Sequence, residues 1–466
     1  MNIFTTRQKR DCKMQNFWLD NFFYGKIYPV IIALVALISY VSNFPYFALT
    51  VFVAVACFLL FLYRDLTPFL ILPMGVVFIF SNGFIPATHP YCIVLYCLAA
   101  ISIIAHFIIY PPKRVKGKLF LPLLFISIAL FLGGLGARHV TEYKNSLFFA
   151  FMTGPFLLFV YYLFACYVNP PKNLNLKDYF SYIISVLAVT ISIEVFIHQN
   201  IFAPNLPIKL KYDIGWTNIN GAASLLLLSI GICWYSVNKS KYPCLYIALL
   251  SIIYFGIFAT KSDGCIGIAL ASTPFLAIVS VIKSKGATKR KLTTIYCLIL
   301  LLSLVCATVL IIATDGEIIN KLIKGFFDDN GRMPLYEEAI SLFKRFPILG
   351  VGLGYVKPDT LFIVGGLYAY NFHSTFFHVC ATMGIVGFLA YVYYFVQRFR
   401  ILGAKNTLFN LFALISFIMY ELYGMVDTCE FTIMPQMFIL TILIVVVEQT
   451  NKRGHENSLP LKNLVC

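Results

Sequence analysis

The sequence predicts an all-α polytopic membrane protein with about 12–14 transmembrane helices and one long extracytoplasmic loop that carries an amphipathic helix. The chain is 60% hydrophobic and only 12% charged, whereas about 25% of the residues of soluble domains are charged. Apolar runs of about 20 residues recur along almost the whole sequence, and each is long enough to cross a bilayer as a helix. Because unpaired backbone groups are costly in lipid, these runs are predicted to be helices and not open strands.

The apolar runs divide the chain into five parts. Residues 1–27 are predicted to be a cytoplasmic basic tail, and no cleavable signal peptide is evident in them. Transmembrane helices 1–11 are predicted in residues 28–313, a large extracytoplasmic loop in 314–373, transmembrane helices 12–14 in 374–447, and a cytoplasmic tail in 448–466. The first two runs are separated only by "NFPYF" and could form one hairpin, which leaves the number of spans open. The predicted spans are 28–43, 45–63, 67–84, 91–110, 119–136, 147–168, 179–198, 219–237, 243–259, 264–282, 292–313, 374–396, 405–423 and 431–447.

The distribution of basic residues predicts the orientation. Most of the 36 lysines and arginines fall in segments that lie inside the cell if the N-terminus is cytoplasmic, as the positive-inside rule requires. An even number of spans then places both termini in the cytoplasm of a multi-pass protein of the cytoplasmic membrane. The excess of basic residues on the predicted cytoplasmic side accounts for most of the net charge of +16. A nucleic-acid partner is therefore not predicted.

The long loop contains a segment with helical periodicity. In "MPLYEEAISLFKRF", apolar residues recur at helical spacing and charged residues occupy the other side, which predicts an amphipathic helix on the membrane surface or on the end of the bundle. Pro334 lies in its first turn and Pro347 ends it.

A glycine-rich stretch, "GVGLG" at residues 350–354, follows this helix. A phosphate-binding glycine loop follows a strand, opens a helix and, in a P-loop, ends in Gly-Lys-Ser/Thr. None of these conditions is met here, so nucleotide binding is not predicted. The stretch is interpreted as a flexible turn that returns the chain from the surface helix to the span beginning near residue 374.

Several motifs occur together between residues 216 and 396. "GR" precedes the amphipathic helix, "PILGVGLG" follows it, and "HSTFF" opens the next span. Upstream, "WTNINGAAS" enters one span and "ATKSDGCIG" enters another. In order and spacing these motifs resemble the signature region of the O-antigen ligase and O-antigen polymerase family of bacterial envelopes.

The chain departs from the family pattern at two positions. The family's Ser-Arg-Gly step is Ser262-Asp263-Gly264 here, so Lys261 is the nearest basic substitute. The residue after the motif histidine, His373, is Ser374 instead of asparagine. Both side chains can cap the start of a helix.

The resemblance implies glycosyl transfer on the outer face of the membrane. The donor would be a glycan on undecaprenyl pyrophosphate, and the acceptor a hydroxyl of a glycan or a lipid-anchored sugar. His373 and Arg332 are the predicted catalytic residues, because the hydroxyl needs a proton acceptor near neutral pH and the pyrophosphate needs fixed cations. No cofactor is predicted, and transfer is predicted to be metal-independent because the acidic residues of the loop form no clear metal set. The predicted substrate-binding residues are Lys209, Lys211, Lys261, Gly352, Gly354 and Ser374.

Other polar residues allow two interpretations each. His373 could only cap a helix, and the two lysines near residue 210 could only hold lipid headgroups. His378, five residues into its span, is interpreted as a packed core histidine. Glu194 and His198 share a helix face, where they could be functional or could pair with each other. Three acidic residues at the outer end of the last hairpin are candidates for acceptor binding, namely Glu421, Asp427 and Glu430.

A transporter of lipid-linked sugars or polysaccharide, a flippase, is the alternative function. Such a protein usually shows internal repeats and broken helices at the midplane, and no clear repeat is evident here. Ligase and polymerase share one chemistry and differ in the acceptor, so the sequence leaves both open. The expected partners are the lipid-linked donor, the acceptor, membrane lipids and, in a biosynthetic assembly, a flippase and a chain-length regulator.

Overall fold

The structure is a computed structural model, and the protein is helical throughout the part that it describes. No β-strand occurs among the described residues, where one isolated bridge joins Thr141 and Tyr355. The all-α prediction is therefore confirmed. The described residues are 17–42, 44–72, 89–112, 117–141, 143–202, 219–314, 317, 331–355, 371–431 and 434–456.

The helices follow the predicted order of spans. Several begin with a proline in the first turn, where the missing N–H is not needed and the fixed φ suits the helix. The helices are α1 Phe17–Phe23, α2 Ile27–Val41, α3 Pro45–Leu62, α4 Pro90–Ile109, α5 Phe120–Leu132, α6 Tyr143–Thr153, α7 Pro155–Tyr167, α8 Leu176–Ile197, α9 Ile219–Lys239, α10 Pro243–Thr260, α11 Asp263–Lys283, α12 Gly286–Ala313, α13 Met333–Arg345, α14 Thr375–Leu402, α15 Leu408–Gly424 and α16 Met434–Glu456.

Length and composition make this a multi-pass membrane protein. Within the described residues, eight helical segments are long and apolar enough to cross a bilayer, and three shorter apolar helices accompany them. Many large apolar side chains on α4, α11 and α12 are exposed, as expected where lipid and not water covers the surface. Most of the predicted span at 67–84 lies outside the described residues.

Helix α9 lies at the centre of the bundle. Almost all of its residues are buried, and it packs against α8, α10, α11 and α15. Glycines allow the close approaches: a Cβ on Gly231 would lie 2.5 Å from the carbonyl oxygen of Phe412, and one on Gly256 would lie 2.3 Å from Oγ of Ser192. Small residues serve this purpose in membrane bundles, where backbone proximity replaces the hydrophobic effect.

Helix α14 is broken at Gly384, whose φ of 61° and ψ of −156° are not helical. The chain that follows α13 inserts into this break. Val351 N–H donates to the carbonyl of Ala381 at 2.9 Å, and Gly352 N–H donates to the carbonyl of Thr382 at 2.8 Å. On the other side of the break, the N–H of Ile385 donates to the carbonyl of Pro347 at 2.8 Å. Backbone groups freed from the helix are thus paired inside the protein, as they must be within a membrane.

The glycine-rich turn is a packed element, and its interpretation as a flexible connection is wrong. Gly350 and Gly352 are buried, with φ values of 67° and 79°. A Cβ on Gly352 would lie 2.5 Å from Oγ of Ser146 and 2.9 Å from the carbonyl oxygen of Gly133. The glycines are needed for close approach and positive φ, not for mobility.

Helix α13 confirms the predicted amphipathic helix. Pro334 lies in its first turn, and the helix ends at Arg345, two residues before Pro347. Its buried face, Ala339 and Leu342, belongs to a small apolar cluster, so the helix rests on the end of the bundle. The other buried members of this cluster are Ala137, Val351, Tyr355, Phe372 and Ala381.

A buried arginine corrects the predicted end of the span at 374–396. Helix α14 continues to residue 402 and encloses Arg398, whose side chain has no exposed surface. Arg398 pairs with Glu421 at 3.1 Å and with Glu430, and its guanidinium carbon lies 3.9 Å from the ring centroid of Tyr394. Glu421 and Glu430 therefore neutralise a buried cation, which does not support acceptor binding by these two side chains. Their contacts hold α15 and the loop that follows it against α14.

Candidate functional site

His373 lies immediately before α14 in a backbone conformation that is uncommon for a residue with a side chain, with φ of 49°. Two side chains hold this conformation. Oδ1 of Asn371 accepts from the His373 N–H at 2.9 Å, and the hydroxyl of Tyr336 donates to the His373 carbonyl at 3.1 Å. An uncommon backbone conformation held on both sides is often found at functional sites.

The imidazole of His373 is oriented by Asp427. Its Nδ1 lies 3.0 Å from Oδ1 of Asp427; the histidine side chain is 36% exposed and the aspartate side chain only 4%. The hydroxyl of Tyr423 donates to the other oxygen, Oδ2, at 3.1 Å, and the N–H of Thr428 donates to Oδ1 at 2.8 Å. A carboxylate at Nδ1 favours the tautomer with a proton there, which leaves Nε2 able to accept one.

Hydrogen bonds continue from Asp427 to the junction of α10 and α11. Oγ of Ser262, at the start of α11, lies 3.0 Å from the hydroxyl of Tyr423. The "ATKSDGCIG" motif therefore reaches the histidine through two side chains. Lys261, the residue before this serine, is exposed, with φ of 52°. The structure thus brings Lys261 to the same end of the bundle as His373.

Arg332 directly precedes α13, one turn before Tyr336. Burial raises the pKa of Tyr336; the positive charge of Arg332 opposes this shift, and the negative charge of Asp427 adds to it. The ring of Tyr336 also stacks on Phe377, with centroids 4.5 Å apart. Arg332 and Asp427 are therefore each close enough to Tyr336 to affect its hydroxyl electrostatically.

The other predicted substrate-binding residues have different positions. Ser374 occupies the N-cap position of α14, but its buried Oγ makes no capping bond. Gly352 and Gly354 lie in the packed turn, where the Gly352 N–H is already bound to Thr382. Lys209 and Lys211 lie outside the described residues. The substrate-binding roles of all of these residues stay predictions.

Two further interpretations of single residues can be compared with the structure. His378 is buried in α14, 1% exposed, with its ring 5.9 Å from that of Phe372, as predicted for a packed histidine. His198 does not pair with Glu194: its Nδ1 lies 3.0 Å from the hydroxyl of Tyr40, and both carboxylate oxygens of Glu194 lack a hydrogen-bond partner among the described residues. The self-paired interpretation is therefore wrong.

Sequence reasoning missed the residues that orient His373. Asp427 was grouped with Glu421 and Glu430 because all three lie near the end of one hairpin, yet only Asp427 contacts the histidine. Tyr336 and Tyr423 were not distinguished from the other tyrosines, which number 29 in the chain. The available signal was the position of Tyr336 one turn after Arg332 in a helix that leads to the histidine.

Residues 246–392 match the family model described as O-Antigen ligase. This part of the chain, about a third of its length, is similar to the O-antigen ligase family. The match supports the predicted family and, in general terms, a function of the O-antigen ligase or polymerase type. A search of curated proteins finds no match. The matched range contains Ser262, Arg332, Tyr336 and His373, whereas Asp427 lies beyond its end.

Proposed function

We propose that this O-antigen ligase family protein transfers a glycan from undecaprenyl pyrophosphate to a sugar hydroxyl on the outer face of the cytoplasmic membrane. The observation that supports this most is the 3.0 Å contact between Nδ1 of His373 and the buried carboxylate of Asp427. A partly exposed imidazole fixed by a buried carboxylate is suited to take a proton from a bound hydroxyl.

The proposed reaction is a single displacement at the anomeric carbon of the donor. The acceptor hydroxyl gives its proton to Nε2 of His373 while its oxygen forms the new bond to that carbon. The bond between the carbon and the pyrophosphate oxygen breaks, and the electron pair leaves with undecaprenyl pyrophosphate. Asp427 stabilises the imidazolium that forms, because its carboxylate faces the proton on Nδ1.

The leaving pyrophosphate requires fixed positive charge. Arg332 is placed to supply it, since it lies at the start of α13, one turn from the tyrosine that binds the His373 carbonyl. A guanidinium can bind two phosphate oxygens at once. Lys261 is a second cation on the same side of the bundle, and Lys209 and Lys211 complete the proposed set. In this proposal residues 314–373 and the ends of the neighbouring spans face outward, with both termini in the cytoplasm.

The acceptor decides whether the protein is a ligase or a polymerase. A lipid-anchored or protein-linked sugar gives a ligase, and the growing glycan gives a polymerase. The polymerase would work beside a flippase and a chain-length regulator. The contacts around His373 give no specific support to the transporter alternative.

Asp427→Asn tests the proposed function. In purified protein supplied with a lipid-pyrophosphate glycan and an acceptor, the substitution should lower the transfer rate by about 10- to 100-fold, part of the roughly 10²–10⁴-fold that a positioned base contributes. The amide removes the negative charge that stabilises the imidazolium. Transfer by the unaltered protein should persist in EDTA, because no metal is assigned to the step.

A matched control comes from another aspartate that accepts a hydrogen bond from a tyrosine. Oδ1 of Asp178 accepts from the hydroxyl of Tyr235 at 2.7 Å, near the C-terminal end of α9. Asp178→Asn should leave the transfer rate per folded molecule nearly unchanged. Equal rates for Asp427→Asn and the unaltered protein would contradict the proposed role of the pair.

Arg332→Ala and Arg332→Lys test the donor site. Alanine removes both the charge and the planar guanidinium, whereas lysine keeps the charge. Both variants should assemble in the membrane and lose most product, and lysine should restore transfer only in part. Affinity for the lipid pyrophosphate, measured separately, should be lowest for Arg332→Ala and intermediate for Arg332→Lys. A normal yield of product from Arg332→Ala would contradict this role of Arg332 and would indicate that the pyrophosphate binds at Lys261 and its neighbours.

A further inference from the structure

The loop that joins α15 to α16 carries Asp427, and a buried arginine of α14 holds the same loop three residues further on. Nη1 of Arg398 donates to Oε1 of Glu430, whose side chain is 1% exposed. Nη2 of Arg398 lies 3.1 Å from Oε1 of Glu421 on α15. One side chain without exposed surface therefore joins α14, α15 and the loop.

Aromatic rings hold the arginine itself in place. Its guanidinium carbon lies 3.9 Å from the ring centroid of Tyr394 and 5.0 Å from that of Phe417, and both distances are within the range of cation–π attraction. A guanidinium presents its donors in a rigid planar fork, whereas a lysine ammonium is a point charge on a flexible stem. The arginine can thus hold two carboxylates in fixed positions, and through one of them it fixes Glu430 relative to α14.

Two neutral hydrogen bonds hold the neighbouring residue of the loop. The N–H of Cys429 donates to Oγ1 of Thr375 at 3.1 Å, and the hydroxyl of Tyr420 donates to the Cys429 carbonyl at 2.7 Å. Thr375 is the first residue of α14 and lies two positions after His373. The part of the loop that follows Asp427 is therefore held against the helix end that presents the histidine.

The contact with the arginine is the strongest of these attachments. Hydrogen bonds between charged groups are about twice as strong as neutral ones, and a buried carboxylate that loses its counter-ion must reach water or bind a proton. Without Arg398, Glu430 would no longer be held in its buried position. Asp427 lies only three residues away in the chain, and a displacement of about 1 Å can lower a catalytic rate by about 100-fold.

We propose that Arg398 is a positioning residue, which acts through Glu430 on the carboxylate that orients His373. The proposal rests on the proposed function, in which Asp427 keeps a proton on Nδ1 of the histidine and leaves Nε2 free to accept another. Glu421 also pairs with the arginine, but it belongs to α15 and not to the loop. Its loss should consequently leave the orienting carboxylate in place.

The tautomer of His373 reports this positioning without any transfer. Protein with isotopically labelled histidine ring nitrogens is placed in lipid nanodiscs at about pH 8, where a free imidazole is mostly neutral, and is observed by solid-state NMR. The signal of His373 is identified as the one that is lost in His373→Ala. In the unaltered protein the proton should be on Nδ1, and Asp427→Asn should remove most of this preference.

Two substitutions that remove equal charge distinguish positioning from a structural role. Glu430→Ala and Glu421→Ala each take one carboxylate from Arg398 and leave the other. Glu430→Ala should lose most of the signal from Nδ1-protonated His373, whereas Glu421→Ala should keep it. Glu430→Gln, which can still accept a hydrogen bond from the arginine, should lie between Glu430→Ala and the unaltered protein.

Arg398→Lys keeps the proposal testable if Glu430→Ala does not assemble, because lysine retains the charge but not the planar fork. This variant should lose part of the signal. An unchanged signal in Glu430→Ala, or in Arg398→Lys where that variant must replace it, would overturn the positioning role. An equal loss in Glu430→Ala and Glu421→Ala would also overturn it.

Transfer rates of the same variants are measured separately. If Glu430→Ala loses the signal from Nδ1-protonated His373 and also transfers slowly, both the positioning role and the proposed function are supported. If it loses the signal but transfers at a normal rate, the positioning role stands and the proposed part of His373 in the reaction is contradicted. The two proposals can therefore fail independently.

Discussion

Gly350→Ala is expected to prevent stable assembly of the protein. The residue has φ of 67°, and a Cβ there would lie 2.4 Å from the carbonyl carbon of Thr382 and 2.5 Å from the nitrogen of Met383. Both are backbone atoms, which cannot rotate away as a side chain can. Left-handed backbone strain of about 1–2 kcal/mol would add to overpacking of about 1–3 kcal/mol or more, at the point where the turn pairs with the broken helix.

The measurement is the fraction of protein that stays monodisperse in detergent after heating. Gly286→Ala is the matched control, since Gly286 has φ of 54° but nothing lies within 4 Å of its Cβ position. This variant should retain most of its monodisperse protein, because it carries the backbone strain alone. If Gly350→Ala were as stable as Gly286→Ala, the turn would be movable and not packed into α14.

These glycines illustrate what the sequence could and could not predict about the fold. Apolar runs and proline positions predicted the helices, because both properties are local. The break at Gly384 was not predictable, since a glycine within an apolar run is also common at helix contacts. The pairing of Gly352 with Thr382 joins residues from two separate elements. The glycines of the turn consequently suggested flexibility when their function is close approach.

The candidate site also combines residues that the sequence could predict with residues that it could not. His373 and Arg332 were predictable because each belongs to a short motif with a recognisable order. Asp427 lies 54 residues from the histidine that it orients, and only the packing of the α15–α16 loop brings them together. Arg398, which lies within four residues of the end of α14, looked like a cytoplasmic residue. Its burial depends on the two glutamates that meet it from other elements.

His373→Ala is expected to lower the rate of transfer by about 10²–10⁴-fold, the usual contribution of a positioned base. Asn371 and Tyr336 hold the backbone of this residue, and Asp427 holds its ring. The substitution removes only a side chain that is 36% exposed, so the fold should tolerate it. Binding of the lipid pyrophosphate should be largely retained, because the cations proposed to bind it are unchanged.

His378→Ala is the control for this substitution. His378 lies five residues after His373, in the first turns of α14, and its ring is buried against Phe372. Its loss leaves a cavity, which should lower stability. The transfer rate per folded molecule should change much less than in His373→Ala. Rates are therefore compared after both variants have been brought to the same concentration of monodisperse protein.

Restoration of transfer by added imidazole tests the central claim most directly. Single-turnover transfer by His373→Ala is measured with increasing imidazole, which can enter the space left by the side chain and accept the proton of the acceptor hydroxyl. We expect a low rate without imidazole and a rate that rises with its concentration, with no such rise in Arg332→Ala. A near-normal rate for His373→Ala in the absence of imidazole would contradict the account, because the histidine would then have no part in proton transfer.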